Sequence, residues 1–186
     1  AADAAAWRTS NRVFDGIALV RNVANFNLTG AGTPERLLGA RTSPNFLTVL
    51  GVRPLLGRGF VNGEDQDGRD HVVLLSHRLW LRRFAGDSHV LGREITLNGE
   101  RYAVVGVMPA AFDYPGREFE LWVPLTVNPA ELSRVEPGFQ YLAVARLEPG
   151  VTLESAQHDM DAIAADLARR TPATNRDVRF EVLPLL

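Results

Sequence analysis

The chain carries four histidines, His71, His77, His89 and His158. A zinc site needs several ligands at short spacing, as in H-x-x-x-H or H-E-x-x-H, and none of the four is so placed. There is no cysteine, so thiolate ligands, catalytic thiols and disulfides are all excluded. Ser76-His77 sets a hydroxyl beside an imidazole, but the G-x-S-x-G elbow that exposes a nucleophile is absent. Ser76 is therefore expected to cap a helix. Asp159 and Asp161 stand two apart on a helical pattern and point to different faces, which separates them as an acid/base pair. Asp65-Gln66-Asp67-Gly68 resembles the middle of a calcium loop. If Gly68 is the sharp-turn glycine, Gly63 takes the first ligand position and Leu74 that of the bidentate glutamate, and neither can ligate. A solvated acidic loop is expected there. Gly30-Ala31-Gly32 and Gly57-Arg58-Gly59 lack the third glycine, or the G-K-[ST], of a phosphate loop, so both are expected to be turns. Asn27-Leu28-Thr29 matches a glycosylation sequon, a tripeptide too common to carry weight. The expectation is a chain with no catalytic, cofactor-binding or metal-binding residue, and with partner contacts that its sequence does not mark.

The elements behind these residues alternate between the two periodicities. Residues 4–15 carry helix formers, with Trp7 and Phe14 on one face. Residues 17–28 read as a strand pair or one long irregular strand, ending in the turn Thr29–Pro34, and residues 36–41 as a short extended run. Ser43 as N-cap, Pro44 at the first helical position and Gly51 past the end punctuate a mostly buried helix through Phe46, Leu47, Val49 and Leu50. After a Pro/Gly-rich run (53–60) and the acidic loop (64–70) come a strand at 71–75 and a helix through Leu79, Trp80 and Phe84, ended by Gly86. Asn98-Gly99 tolerates the positive φ angles of a type I′ turn and predicts a hairpin over 93–108 with Ile95 opposite Tyr102. Strands are expected at 121–125 and 140–147. A final helix is capped by Thr152, buries Ala156, Met160, Ile163 and Leu167, ends at Arg169-Arg170 and is stopped by Pro172. A last strand is expected at 178–183. Phe46, Trp80 and Phe84 are expected in the core, Trp122 on a strand with one exposed face. Phe112, Tyr114 and Phe119 surround a loop where aromatics can anchor a partner.

Of the 186 residues, 46% are hydrophobic and 23% charged, with a formal net charge of −2. That is enough apolar material for one large or two small cores, and the charge balance gives no sign of nucleic acid. The pairs Arg82-Arg83 and Arg169-Arg170 sit at helix ends rather than along a stripe. No run approaches the roughly 20 apolar residues of a membrane span, and no signal peptide is visible. Both ends are expected to be cuts in a longer protein. Mixed helices and hairpins, without repeats, give the class α+β.

One resemblance runs through nearly the whole chain. Trp7-Arg8 to Phe14, Phe26-Asn27-Leu28-Thr29-Gly30, Ser43-Pro44-Asn45-Phe46-Leu47-Thr48-Val49-Leu50-Gly51-Val52-Arg53-Pro54 and Leu56-Gly57-Arg58-Gly59-Phe60 belong to it. So do Val73-Leu74-Leu75-Ser76-His77 to Trp80, and Arg82-Arg83-Phe84-Ala85-Gly86-Asp87. The fullest segment runs from Leu91-Gly92-Arg93 through Leu97-Asn98-Gly99 to Val104-Val105-Gly106-Val107-Met108-Pro109. Leu121-Trp122-Val123-Pro124-Leu125 and Val144-Ala145-Arg146-Leu147-Glu148-Pro149-Gly150-Val151 complete it. In this order they resemble the periplasmic core domain of MacB-like ABC transporter permeases, associated with FtsX-like membrane regions. Ser88 and Ala110-Ala111 depart from it, standing where proline or glycine is expected.

The resemblance implies a periplasmic domain of an inner-membrane protein, inserted between the first two transmembrane helices. It implies a discontinuous porter-like α/β subdomain from residues 1–52 and 126–186, and an inserted, mainly β subdomain at 53–125. It further implies no enzymatic activity and no cofactor. The implied partners are a separate ABC ATPase acting through the membrane region, a second permease copy or a homologue, and a periplasmic adaptor, with no nucleic acid among them. Two rival classes are a small-molecule sensing or binding module, marked by a deep apolar pocket, and a periplasmic hydrolase, marked by a perturbed base beside a nucleophile.

Overall fold

The computed structural model describes residues 12–30, 32–126, 142–170 and 179–185. Strand β1 (Phe14–Thr29) leads into β2 (Glu35–Thr42), the short helix α1 (Phe46–Leu50), β3 (Leu56–Gly57) and β4 (Val72–Leu75). Helix α2 (His77–Phe84), β5 (Glu94–Leu97), β6 (Glu100–Val107) and β7 (Leu121–Pro124) follow, then β8 (Leu142–Leu147) and helix α3 (Leu153–Arg170). The result is a mixed α/β fold with a sheet-rich body and few helices. The helix expected at 4–15 lies mostly outside the described residues, and its last two positions, Phe14 and Asp15, belong to β1.

The strands are ordered β2-β7-β4-β6-β5-β1-β8, and β1 also pairs with β2. Six strands thus pair in a closed ring. β2 with β7 and β4 with β6 are parallel; the other four joins, β7–β4, β6–β5, β5–β1 and β1–β2, are antiparallel. All six send side chains into one apolar cluster, including Phe26, Leu37, Leu75, Leu97, Val104 and Leu121, to which α2 adds Leu79 and Phe84. A second cluster covers the other face of several strands with α1: Ala18, Val20, Ala40, Phe46, Leu74, Met108 and Trp122.

A bulge in β1 explains how one strand serves both clusters. The register with β2 shifts between Asn22 and Ala24. Side chains alternate faces strictly along a strand, so one extra residue exchanges the faces. Ala18 and Val20 accordingly join the second cluster, whereas Phe26 and Leu28, also even-numbered, join the first.

Several local expectations meet the structure. The β5–β6 hairpin turns on Asn98 (φ 54°) and Gly99 (φ 88°), and Ile95 faces Tyr102. Ser76 caps α2, its Oγ accepting from the Leu79 N–H at 3.1 Å. Thr152 Oγ1 accepts from the Ser155 N–H at 3.2 Å and opens α3, which buries Ala156, Met160 and Ile163 as expected, with Ala164 buried and the expected Leu167 only half-buried. Four expectations need correction. Ser43 does not cap α1: Asn45 is the N-cap residue, while the Ser43 Oγ accepts from the Leu19 N–H at 3.0 Å and so extends the β1–β2 pairing. Trp122 has no exposed face, because β7 lies between β2 and β4 with all four residues buried. The Pro/Gly-rich run contains β3, where Gly57 faces Gly106; a Cβ on Gly106 would stand 2.5 Å from the Arg58 carbonyl oxygen, so only glycine permits this approach. Residues 179–183 form no strand; Gln157 takes their backbone groups instead, its Nε2 donating to the Phe180 carbonyl and its Oε1 accepting from the Val182 N–H, both at 2.8 Å.

The chain divides into two compact units, one of residues 1–17, 128–138 and 145–186, the other of 18–127 and 139–144. The second contains the closed ring almost entire. Residues 18–52 fall in this unit because β2 is hydrogen-bonded to β7 and β1 to β5.

Candidate functional site

The two ends of the closed ring differ in chemistry. α2 follows β4 directly and covers one end with its apolar face. Above that face, Arg82 Nη1 and Nη2 reach the two Glu120 oxygens at 2.8 and 3.0 Å. Arg78 Nε adds a third contact at 3.2 Å, and Glu35, at the start of β2, binds Arg82 at 2.7 Å. Burial raises the Glu120 carboxyl, but the hydrogen bonds and charges of Arg82 and Arg78 outweigh it and hold the group below its ordinary value. These contacts fasten α2 to the starts of β2 and β7.

The opposite end collects Arg41, Asp70, His71, Glu100, Tyr102 and Thr126. His71 Nδ1 lies 3.1 Å from Asp70 Oδ1, and its Nε2 is 3.6 Å from Glu100 Oε2. Its ring stacks at 5.0 Å on Tyr102. Thr126 Oγ1 donates to Asp70 Oδ2 at 2.8 Å. Burial pushes the Tyr102 hydroxyl above its ordinary value of 10.0, with Glu100 and Asp70 adding to the rise against Arg41, so it stays protonated at neutral pH. Both nitrogens of His71 thus face carboxylates. The imidazole lies at ion-pair distance between two acids.

A cleft of about 250 Å³ opens beside the start of α2, lined by Ser76, His77, Arg78 and the loop Pro109–Phe119. Its charges have partners on the protein: Arg78 holds Glu120, and Arg117 lies 3.3 Å from Asp113. The loop's aromatics turn inward. Phe112 and Tyr114 pack on Phe46 at 6.3 and 5.8 Å, Phe119 is buried, and the Trp122 Nε1–H donates to the Tyr114 carbonyl at 3.2 Å. They anchor the loop to α1.

The remaining residues singled out by spacing fall apart in space. In the acidic loop, Glu64 is committed to Arg58 at 2.6 Å and to the Val61 N–H at 2.9 Å. His89 binds Asp87 at 2.8 Å on the surface, and His77 packs edge-on against Trp80. Asp159 Oδ2 accepts from the Arg12 N–H at 3.4 Å, whereas Asp161 Oδ1 accepts from Gln157 Nε2 at 2.8 Å. Leu28 of the sequon is fully buried in a paired strand. Gly30 and Gly32 adopt positive φ in a turn. Among the described residues, no three His, Cys, Asp or Glu side chains gather to hold a metal ion, and no helix is long and apolar enough to cross a membrane. Sequence reasoning missed the Glu35–Arg82–Glu120–Arg78 network and the carboxylates around His71. Apart from the sequence neighbours Asp70 and His71, these contacts join residues 29 or more positions apart, which strand pairing brings together.

No curated protein matches the sequence. Among solved structures, the periplasmic region of MacB from Actinobacillus actinomycetemcomitans aligns with a TM-score of 0.65 at 16% identity, over 94% of this chain and 75% of that one. The extracellular domain of the noncanonic ABC-type transporter YknZ from Gram-positive bacteria aligns with a TM-score of 0.66 at 13% identity, over 92% of this chain and 83% of that one. At such identities these two show a shared fold. The sequence itself carries the family: residues 1–163 match the MacB-like periplasmic core domain. The chain, with its sheet-rich body, belongs to the MacB-like periplasmic core domain family.

Proposed function

We propose that this domain is a moving part without catalysis of its own, which passes an ATP-driven conformational change from the membrane region of its permease to the export of a substrate or partner. The family makes it the periplasmic domain of a MacB-like ABC transporter permease. In our reading the flanking chain enters the membrane on both sides, a separate ATPase drives the cycle, and the permease works as a homodimer or heterodimer with a periplasmic adaptor. The porter-like part, expected from residues 1–52 and 126–186, is in our reading the unit built from both chain ends, and the inserted, mainly β part, expected at 53–125, takes in residues 18–52 as well.

The observation that carries this reading is the closed ring of six strands filled by one apolar cluster. A closed sheet has no free edge along which a strand can slip, and a close-packed core transmits strain instead of absorbing it. A displacement applied at one point then moves the unit as a body.

Two measurements test the reading in the full-length permease with its ATPase. Met160, buried in α3, is replaced by Asp, which places an unpaired charge in an apolar site. Export is expected to stop while ATP binding persists; export that continues with this unit unfolded sinks the proposal. Hydrogen exchange with and without ATP is expected to differ within the domain, and identical exchange in both states overturns the mechanical role.

A further inference from the structure

The geometry points to Gln157 as the residue that couples α3 to the C-terminal run of the chain, an inference that rests on the transmission role just proposed. Both ends of the described chain meet one helix. At the start, the Arg12 N–H faces Asp159 Oδ2 at 3.4 Å, and the Val13 carbonyl accepts from the Glu148 N–H, just before α3, at 2.9 Å. At the far end, Gln157 Nε2 donates to the Phe180 carbonyl and Oε1 accepts from the Val182 N–H, each at 2.8 Å.

The orientation of the amide is fixed. Nε2 also donates to Asp161 Oδ1, one turn further along α3, at 2.8 Å. A carboxylate only accepts, so Asp161 selects which end of the amide carries the hydrogens and leaves the oxygen to Val182. Phe180 and Val182 present their carbonyl and N–H to the same side of an extended run, as strand residues two apart do. The side-chain amide therefore supplies the N–H and C=O that one residue of a parallel neighbouring strand would supply. This gripped run has no regular structure of its own. Beyond it the apolar side chains turn outward, Leu183 being 68% and Leu185 59% exposed.

Two aligned hydrogen bonds thus join residues 180–182 to α3, two residues from where Asp159 meets the start of the chain. Hydrogen bonds of this kind are individually weak, about 1 kcal/mol net, so the clasp can yield and re-form. Gln157 is on this account a positioning residue for transmission, and Asp161 keeps it set.

The test uses the full-length permease with its ATPase in lipid nanodiscs, followed by hydrogen exchange with and without ATP. Gln157→Leu keeps the bulk of the side chain and removes both bonds. Gln157→Asn keeps the amide but withdraws it by one methylene, and decides the matter should the Leu variant fail to fold. Without nucleotide, each variant is expected to speed exchange at the Val182 amide by about tenfold, the loss of roughly 1.4 kcal/mol of local protection. The ATP-dependent difference across Leu153–Arg170 is expected to vanish while ATP hydrolysis holds and the melting temperature falls by no more than about 2–4 °C. Unchanged exchange at Val182, or an ATP-dependent difference in α3 that survives both variants, overturns the clasp and leaves the transmission role standing. If the unmodified permease shows no ATP-dependent difference in this domain, the transmission role falls and takes the inference with it.

Discussion

Thr42, at the end of β2, is fully buried, and its hydroxyl has no hydrogen-bond partner among the described residues. Neighbouring Ala40, two residues back on the same strand face, belongs to the α1-side apolar cluster. A buried polar group without a partner costs about 1–3 kcal/mol. Thr42→Val replaces the hydroxyl by a methyl of nearly the same shape and is expected to stabilise the protein by that order. In a chain of this size each kcal/mol moves the thermal midpoint by about 2–4 °C. A calorimetric scan that shows a lower midpoint for the variant contradicts the account. The same logic separates Ser76 from Ser43. One hydroxyl sits where three N–H groups of a helix lack partners, the other where a strand still needs one, and the residue type alone does not tell them apart.

Asn98 shows how an element can be right for more reasons than its sequence signature. Its positive φ suits the hairpin turn, which any Asn-Gly announces. Its side chain also reaches β1, Oδ1 accepting from the Asn27 N–H at 2.8 Å and Nδ2 donating to the Asn25 carbonyl at 3.3 Å. The turn is thereby stitched to a strand 71 positions away. Turn chemistry alone expects Asn98→Gly to be tolerated, since glycine adopts the same φ without strain. The structure gives the opposite expectation, a loss of about 1–2 kcal/mol for two hydrogen bonds. Denaturant titration of the variant decides between the two. The bulge in β1 acts at the same scale: one added residue assigns the halves of a single strand to different clusters.

For the whole molecule, two buried carboxylates contribute to the loss of stability in acid. Burial raises Glu64 and Glu120, yet Arg58 and the Val61 N–H on the first, and Arg82 and Arg78 on the second, hold both below the ordinary 4.5. A group with a lowered folded value contributes stability above its unfolded value and loses it as the pH falls through the folded one. Stability is therefore expected to be level from neutral pH down to about pH 5 and to decline below 4.5. Urea midpoints between pH 7 and pH 3 read this directly. Glu120→Gln should flatten the decline while lowering stability at pH 7, and an unchanged slope in that variant refutes the assignment.

Local chemistry alone determined the elements whose causes lie within a few residues. The Ser76 and Thr152 caps, the Gly51 stop, the Asn98-Gly99 hairpin with its register and the buried stripe of α3 were all legible from side-chain type and spacing. The family was legible in the same way, because its signature residues are largely turns, caps and core. What the tertiary structure decided depends on pairings between distant strands. Strand pairing sets Glu120 among arginines and brings Glu100 to His71, and it buries Trp122 on a central strand. The run at 179–185 offers strand-like side chains, yet no pattern within it can supply a neighbour. Hydrogen bonding needs a partner in space, and here that partner was the amide of Gln157.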